Sequence, residues 1–247
     1  MRNLKMIMEY EGTNYHGFQR QINKITVQEV LEEKLAFLME EDIKVNSSGR
    51  TDAGVHAKGL VVNFLTNSTI PVEKLPLALN SMLPPDIAVR EAQEVPLEFH
   101  ARYSAKSKTY NYNILNSRVP SPFLRNYAYF FPRPLDIDQM RVGAAYLVGE
   151  HDFAAFRSIG SSVKTTVRHI YRLEIREKEG QLLEIEVEAN GFLYNMVRII
   201  VGTLVEVGVG KITPQQVADI LQSKERSRAG QTAPAKGLFL KEVNYSF

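Results

Sequence analysis

Ile43-Lys44-Val45-Asn46-Ser47-Ser48-Gly49-Arg50-Thr51-Asp52-Ala53-Gly54-Val55-His56-Ala57-Lys58-Gly59-Leu60-Val61-Val62-Asn63-Phe64-Leu65 reads as two strands in succession with a glycine-flanked loop between them. Ile43 to Asn46 predicts a short strand ended by a Ser-Ser-Gly turn, and Gly59 to Leu65, rich in valine and phenylalanine, predicts the next. Upstream, Thr26 opens a helix: Thr26 and Glu29 have capping-box spacing, and Val27, Val30, Leu31, Lys34, Leu35 and Leu38 share one face. Leu4 to Tyr10 alternates apolar and polar residues as a strand does, with a loop at Gly12 and Asn14. Downstream, Pro71 opens a second helix carrying Leu75, Leu79 and Met82, stopped by Pro84-Pro85, and Ile87 to Val95 predicts a strand. Two strands standing between two helices make the order β-α-β-β-α-β, the split βαβ or ferredoxin-like order.

The second half repeats this order of elements without an alignable sequence repeat. Tyr103 to Leu115 predicts a long strand, Ile137 to Leu147 a helix, and Val167 to Arg176 with Leu182 to Ala189 a hairpin around Lys178-Glu179-Gly180. In the latter strand Leu183, Ile185 and Val187 are expected to face inward and Glu184, Glu186 and Glu188 to face water. Phe192 to Val207 predicts a strongly apolar helix. Thr213-Pro214-Gln215-Gln216 starts another, with a capping box and a first-turn proline, and Leu238 to Tyr245 predicts a closing strand. The expected class is α+β: two ferredoxin-like units, residues 1–102 and 103–247, forming a long, mainly antiparallel sheet with helices on one face and an open cleft on the other.

Composition narrows the chemistry. At 247 residues, 44% hydrophobic and 23% charged, the chain can bury a core and is not a disordered polymer. It has no cysteine, which excludes a disulfide framework, a thiol nucleophile, an iron–sulfur cluster and cysteine-ligated zinc. The N-terminal run is broken by charge too early for a signal peptide, and no stretch approaches the ~20 apolar residues of a membrane span. A soluble, cytoplasmic protein is expected. The net charge of +2 conceals a segregation. Phe99 to Leu135 contains no Asp or Glu, yet holds Arg102, Lys106, Lys108, Arg118, Arg125 and Arg133 among nine Tyr and Phe residues. A second acid-free run after Asp152 carries Arg157, Lys164, Arg168 and Arg172. Cations interleaved with rings suit a nucleic-acid surface, the cations meeting phosphates and the rings stacking on bases. Solvated lysines on a strand with core tyrosines would give the same pattern.

The five histidines lack HExxH spacing, Gly208-Val209-Gly210-Lys211 fails the phosphate-loop pattern, and neither a G-x-S-x-G elbow nor a dinucleotide glycine fingerprint occurs. No metal, nucleotide or redox cofactor is expected. What remains is Ser48-Gly49-Arg50-Thr51-Asp52-Ala53-Gly54-Val55-His56-Ala57. An aspartate between glycines is ordinarily a turn residue accepting backbone N–H bonds. With Arg50 two residues away, it also reads as an ionised carboxylate oriented by a guanidinium, able to act as a nucleophile or electrostatic stabiliser at a sugar C1′.

Gly49-Arg50-Thr51-Asp52-Ala53-Gly54-Val55-His56-Ala57 closely resembles the active-site motif of the TruA family, the tRNA pseudouridine synthases of the anticodon stem-loop. Glu9–Tyr15, Thr26–Glu29, Leu83–Val89, Phe99–Ala105, Gly149–Phe153, Asn190–Arg198 and Gly237–Leu240 agree in order, so the resemblance spans nearly the whole chain. It implies that Asp52 is the catalytic aspartate and that Arg50 helps extrude the target nucleotide. It further implies that Tyr110 stacks on the uracil, that Arg198 pairs with the aspartate, and that Leu238 lies beside the catalytic group. A buried arginine in an apolar helix needs a partner, and Asp52 is the expected one. Phosphate contacts are expected from Arg102, Lys106, Lys108, Arg157, Lys164 and Arg168. The implied activity is that of an isomerase, an intramolecular transferase that turns uridines 38, 39 and 40 of tRNA into pseudouridine without a cofactor. The cleft would then be an RNA-binding one, in a homodimer whose subunits share one tRNA. Two other readings stay open: a non-catalytic RNA-binding protein on the same units, for which Asp52 would be dispensable, and a family duplicate with altered tRNA position specificity.

Overall fold

Strand β1 (Arg2–Tyr10) is paired along both edges, antiparallel to β3 (His56–Thr66) on one side and to β4 (Ile87–Val95) on the other. Leu4, Met6 and Met8 are buried in this central position. So is Asn3, whose amide knits the far end of the sheet: Nδ2 donates to the carbonyls of Pro96 (3.0 Å) and Phe99 (2.9 Å), and Oδ1 accepts from Asn63 Nδ2 (2.9 Å). The outer edge of β3 is shared. β2 (Asn46–Ser47) runs antiparallel to it at Asn63 and Val62, whereas β10 (Leu238–Tyr245) runs parallel to it, Phe239 opposite His56 and Leu240 opposite Ala57. The order β4-β1-β3-β2 is that of a split βαβ unit.

The computed structural model describes residues 1–158, 160 and 163–245. Its chain divides into two compact units, Met1–Lys106 with Phe239–Phe247, and Ser107–Leu238. The division falls after Lys106 rather than after residue 102. The closing strand passes to the first unit from Phe239 on, because its ladder partners are His56 and Ala57. Helix α1 (Val27–Met39) starts as read, with the Thr26 hydroxyl accepting from the Glu29 N–H, and buries Val27, Leu31 and Leu35. Its buried Glu32 is satisfied by the Val45 N–H (3.1 Å), Gln28 (2.9 Å) and Arg20 (3.4 Å). The strand expected at Ile43–Asn46 shrinks to Asn46–Ser47; the Val45 N–H bonds the Glu32 carboxylate instead of a neighbouring strand. After Pro71 a turn of 3-10 helix precedes the short α2 (Leu75–Asn80).

In the second unit β5 (Ala105–Leu115) pairs antiparallel with β9 (Leu182–Ala189), β9 with β8 (Val167–Lys178), and β8 with β7 (Gly149–Asp152). A short β6 (Tyr129–Phe130) runs parallel to the end of β5. Helices α3 (Ile137–Ala145), α4 (Met196–Gly208) and α5 (Pro214–Ser223) complete it, α5 with its full Thr213–Gln216 capping box. Leu183, Ile185 and Val187 are buried as the alternation requires. Glu186 departs from it. It is only 2% exposed, because Arg172 (2.9 Å) and Arg176 (3.6 Å) from the neighbouring strand close over it. Opposite charges across a strand pair thus bury a residue that the pattern along its own strand places in water.

Asp152 ends β7 and holds the segment that follows. Its Oδ1 accepts from the Thr166 hydroxyl (2.5 Å) and the Ala154 N–H (3.1 Å), and its Oδ2 pairs with Lys224 (2.9 Å). The Thr166 bond is the largest cause of a lowered carboxyl pKa; partial burial opposes it, and Lys224 and Ala154 reinforce it. A carboxyl depressed in the folded state adds stability that is present above its unfolded pKa of about 4 and is lost as pH falls through the folded value. Asp152→Asn is therefore expected to melt lower than wild type at pH 7, with the gap closing below about pH 4. Thermal melts at pH 7 and pH 3 check this; a gap of the same size at both would contradict it.

Candidate active site

The loop before β3 is a tight turn clamped from beneath. The Val55 N–H donates to the Asp52 carbonyl (3.1 Å), with Gly54 at φ +77. The Thr51 hydroxyl bonds the buried Tyr10 phenol (2.7 Å), and the Thr51 carbonyl accepts from the Phe18 N–H (3.2 Å). The Gly54 N–H reaches the Tyr15 carbonyl (3.3 Å), and the Tyr15 hydroxyl donates to Asp86 (2.6 Å). Burial first, and the neighbouring carboxylate second, raise the Tyr15 phenol well above its ordinary pKa, so it stays a donor. The Gly12 N–H donates to His56 Nδ1 (3.0 Å), which places the proton of a neutral ring on Nε2. His56 stacks on Phe239, ring centroids 4.6 Å apart.

Two glycines permit this contact. A Cβ at Gly12 would lie 2.0 Å from the Val55 carbonyl oxygen, and one at Gly17, itself at φ +88, 2.5 Å from that of Thr51. The 10–18 segment therefore lies flat against the turn. Asp52 is left half-buried and Arg50 exposed. The pair suggested by their spacing does not form: among the described residues Arg50 makes no hydrogen bond or ion pair. A tight turn leaves the Arg50 guanidinium in solvent rather than on the carboxylate.

In the second unit Tyr110 lies on β5 opposite Val187, buried, with the Phe192 ring edge-on to it at 5.0 Å. Arg198 is on the first turn of α4 and half-buried. Nε donates to the Ala233 carbonyl (2.7 Å), and Nη1 to Asn195 Oδ1 (2.8 Å). The segment preceding β10 is pressed onto this helix and onto β5. The Tyr112 hydroxyl donates to the Pro234 carbonyl (2.7 Å), and a Cβ at Gly237 would meet the Tyr112 ring at 2.7 Å. That packing fixes Leu238, buried at the start of β10. Helix α4 begins at Met196, not Phe192, because Asn195 adopts a left-handed conformation (φ 60). The mostly apolar stretch Phe192–Val207 hid that break. Phe192 and Asn195, which touch Tyr110 and Arg198, carry no signal in composition that would single them out.

The basic candidates differ in availability. Arg102, Lys106 and Lys164 are exposed, and Lys108 and Arg157 are half-buried. Arg102 lies over the Tyr103 ring (5.6 Å), which packs against His100 (4.3 Å) and is itself 76% exposed. Arg168 is engaged at home, donating to the Thr165 (3.0 Å) and Val167 (2.6 Å) carbonyls. Among the described residues no cluster of three His, Asp or Glu side chains is placed to hold a metal, and no helix is long and apolar enough to cross a membrane.

A family model described as tRNA pseudouridine synthase matches residues 6–104 and 144–246. The chain is 54% identical over 245 residues to the tRNA pseudouridine synthase A of a Thermoanaerobacter species, covering 99% of this chain and 100% of that one. The same coverage holds at 52% identity for tRNA pseudouridine synthase A of Acetivibrio thermocellus and at 49% for that of Clostridium acetobutylicum. One similar solved structure is that titled "Crystal Structure of a Cbf5-Nop10-Gar1 Complex", with 12% identity and a TM-score of 0.38 over 96% of this chain and 57% of that one. Matched by the family model over most of its length, and about half identical to full-length relatives, the chain belongs to the tRNA pseudouridine synthase family.

Proposed function

We propose that the protein isomerises uridine to pseudouridine at positions 38, 39 and 40 of the anticodon stem-loop of tRNA, with Asp52 as the reacting carboxylate. The observation that carries this reading is the full-length identity with tRNA pseudouridine synthase A proteins. In the reaction the N1–C1′ bond breaks, the uracil turns, C5 bonds to C1′, and the C5 proton leaves as N1 regains one. Nothing enters or departs overall, so the chemistry asks for a carboxylate at C1′ or C2′ and a means of holding the detached base. Asp52 has the first role. A rigid turn on the Gly12 and Gly17 backbone supports it, since a nucleophile must be held to a fraction of an ångström. Tyr110 has the second, presenting a ring already oriented by Phe192. By resemblance to the family, Arg198 is assigned as the arginine that serves the aspartate and Leu238 as the apolar residue of the catalytic group.

The target base must leave its stack, at a cost of roughly a few kcal/mol. Stacking on Tyr110 offsets part of this, and Arg50 fills the vacated space; its exposure and lack of a partner among the described residues suit a side chain that enters RNA. Substrate choice then rests on RNA shape more than on base identity, which allows three neighbouring positions in one site. We further assign the protein to the cytoplasm and to a homodimer whose subunits both contact one tRNA.

Tritium release from tRNA labelled at uridine C5, with no cofactor added, followed by mapping of the modified position, tests the reading. Release is expected at 38–40; tight tRNA binding without release would favour a purely RNA-binding protein. Among the phosphate-contact residues, Lys106→Ala with Lys108→Ala is expected to weaken tRNA binding and to flatten its dependence on salt. A salt titration of Kd reads the slope directly, and an unaltered slope would remove both lysines from the RNA surface.

A further inference from the structure

Asn195 sits at the N-cap of α4 and does not cap it. An asparagine there ordinarily turns its side-chain oxygen onto the second or third N–H of the helix. Here Oδ1 accepts from Arg198 Nη1 (2.8 Å), and Nδ2 donates to Ser158 Oγ (2.9 Å). The amide can face only this way, because a guanidinium has donors and no acceptor. Ser158 is held in turn by its N–H on the Tyr194 carbonyl (3.1 Å). Arg198 is gripped at a second point: Nε donates to the Ala233 carbonyl (2.7 Å), and the Ala233 N–H returns to the Arg198 carbonyl (3.1 Å).

The backbone at Asn195 is left-handed, φ 60 and ψ 9. Glycine and asparagine adopt that conformation most readily. Of the two, only asparagine has a side chain that reaches both Ser158 and Arg198. The helix thus forgoes a side-chain cap at its N-terminus, and the amide fixes the one arginine of its first turn.

We infer that Asn195 is a positioning residue that sets the orientation of Arg198 and ties it to Ser158, the neighbour of Arg157 in the segment between β7 and β8. The inference rests on the reading of Arg198 as the arginine that serves the aspartate. An arginine has a long, rotatable stem. Bonds from two different guanidinium nitrogens to two fixed acceptors remove that freedom before tRNA arrives, so the charge needs no reorganisation during the reaction.

The test compares single-turnover tritium release and tRNA Kd for wild type, Asn195→Gly, Asn195→Asp, Arg198→Ala and the double variant Asn195→Gly/Arg198→Ala. Glycine keeps the left-handed backbone and removes the amide. It is expected to slow release about 10- to 100-fold with Kd changed less than about threefold. Asn195→Asp retains an acceptor for Arg198 and is expected to recover most of the rate. The double variant should be no slower than Arg198→Ala alone, because Asn195 acts through that arginine. A rate for Asn195→Gly equal to wild type, with Arg198→Ala slow, would overturn the positioning role and leave the reading of Arg198 standing. So would an aspartate variant as slow as the glycine one, or a double variant slower than Arg198→Ala by the full factor of Asn195→Gly, since both are marks of a purely structural residue. Wild-type release by Arg198→Ala would remove the assignment of Arg198 and this inference with it.

Discussion

Asp52→Ala is expected to bind tRNA with wild-type affinity and to release no measurable tritium from it. The carboxylate is the group proposed to react at the ribose, and removing a nucleophile or base from an enzyme costs on the order of 10^4 to 10^6 in rate. Binding should survive because the turn keeps several bonds that do not involve the Asp52 side chain. The Asp52 carbonyl takes the Val55 N–H, and the Thr51 hydroxyl and carbonyl take Tyr10 and Phe18. Asp52→Asn preserves the volume and should be as inactive as the alanine variant. Filter binding and tritium release on the same preparations separate the two properties. If Asp52→Ala fails to bind tRNA, or isomerises it at more than a few per cent of the wild-type rate, the assignment is wrong.

Gly202→Ala is the substitution expected to damage stability most. Its Cβ would lie 1.7 Å from the Gln231 carbonyl oxygen, and the obstacle is backbone that cannot swing aside. The same face of α4 is fastened nearby, where Gly230 donates to the Thr203 hydroxyl (2.9 Å) and its own Cβ would strike the Thr203 nitrogen at 2.6 Å. Helix and segment can separate only by breaking this contact, so the penalty belongs at or above the ~3 kcal/mol upper end for overpacking. For a domain of this size that is a fall in Tm of about 6–12 °C. Gly210→Ala supplies the contrast: φ is +73 there but nothing lies within 4 Å, so only the backbone penalty of about 1–2 kcal/mol applies. Because the 229–233 segment also brings the Ala233 carbonyl to Arg198, Gly202→Ala should lose activity below its melting temperature too. Equal melting temperatures for the two glycine variants would show that the segment yields freely.

What the sequence reveals and conceals follows from the range of the physics. Alternation along β9 and the caps at Thr26 and Thr213 are local, and they place Leu183, Ile185, Val187 and both helix starts. Phe192 was expected inside a helix because hydrophobicity is blind to φ; one left-handed residue, Asn195, moves the start to Met196. Glu186 is buried by arginines on another strand, which no pattern within β9 can announce. At the site, Asp52 is legible as a motif, whereas the support beneath it joins positions far apart in the chain, Gly12 with Val55 and Gly17 with Thr51. The two-residue spacing of Arg50 and Asp52 suggested an ion pair that the turn does not make, and β10 gave no local sign that it would lie beside β3.

The shared edge of β3 sets a schedule for synthesis. His56 and Ala57, next to the reactive turn, wait for Phe239 and Leu240 to complete their side of the sheet. Residues emerge from a ribosome at about 5–20 per second, so that stretch of edge stands open for roughly 10–35 s after β3 itself is made. An open edge is a template for pairing with other chains. The unit bearing the aspartate is thus among the first made and among the last sealed, and a chain halted short of its final strand leaves the foundation of the turn exposed to chaperones and proteases.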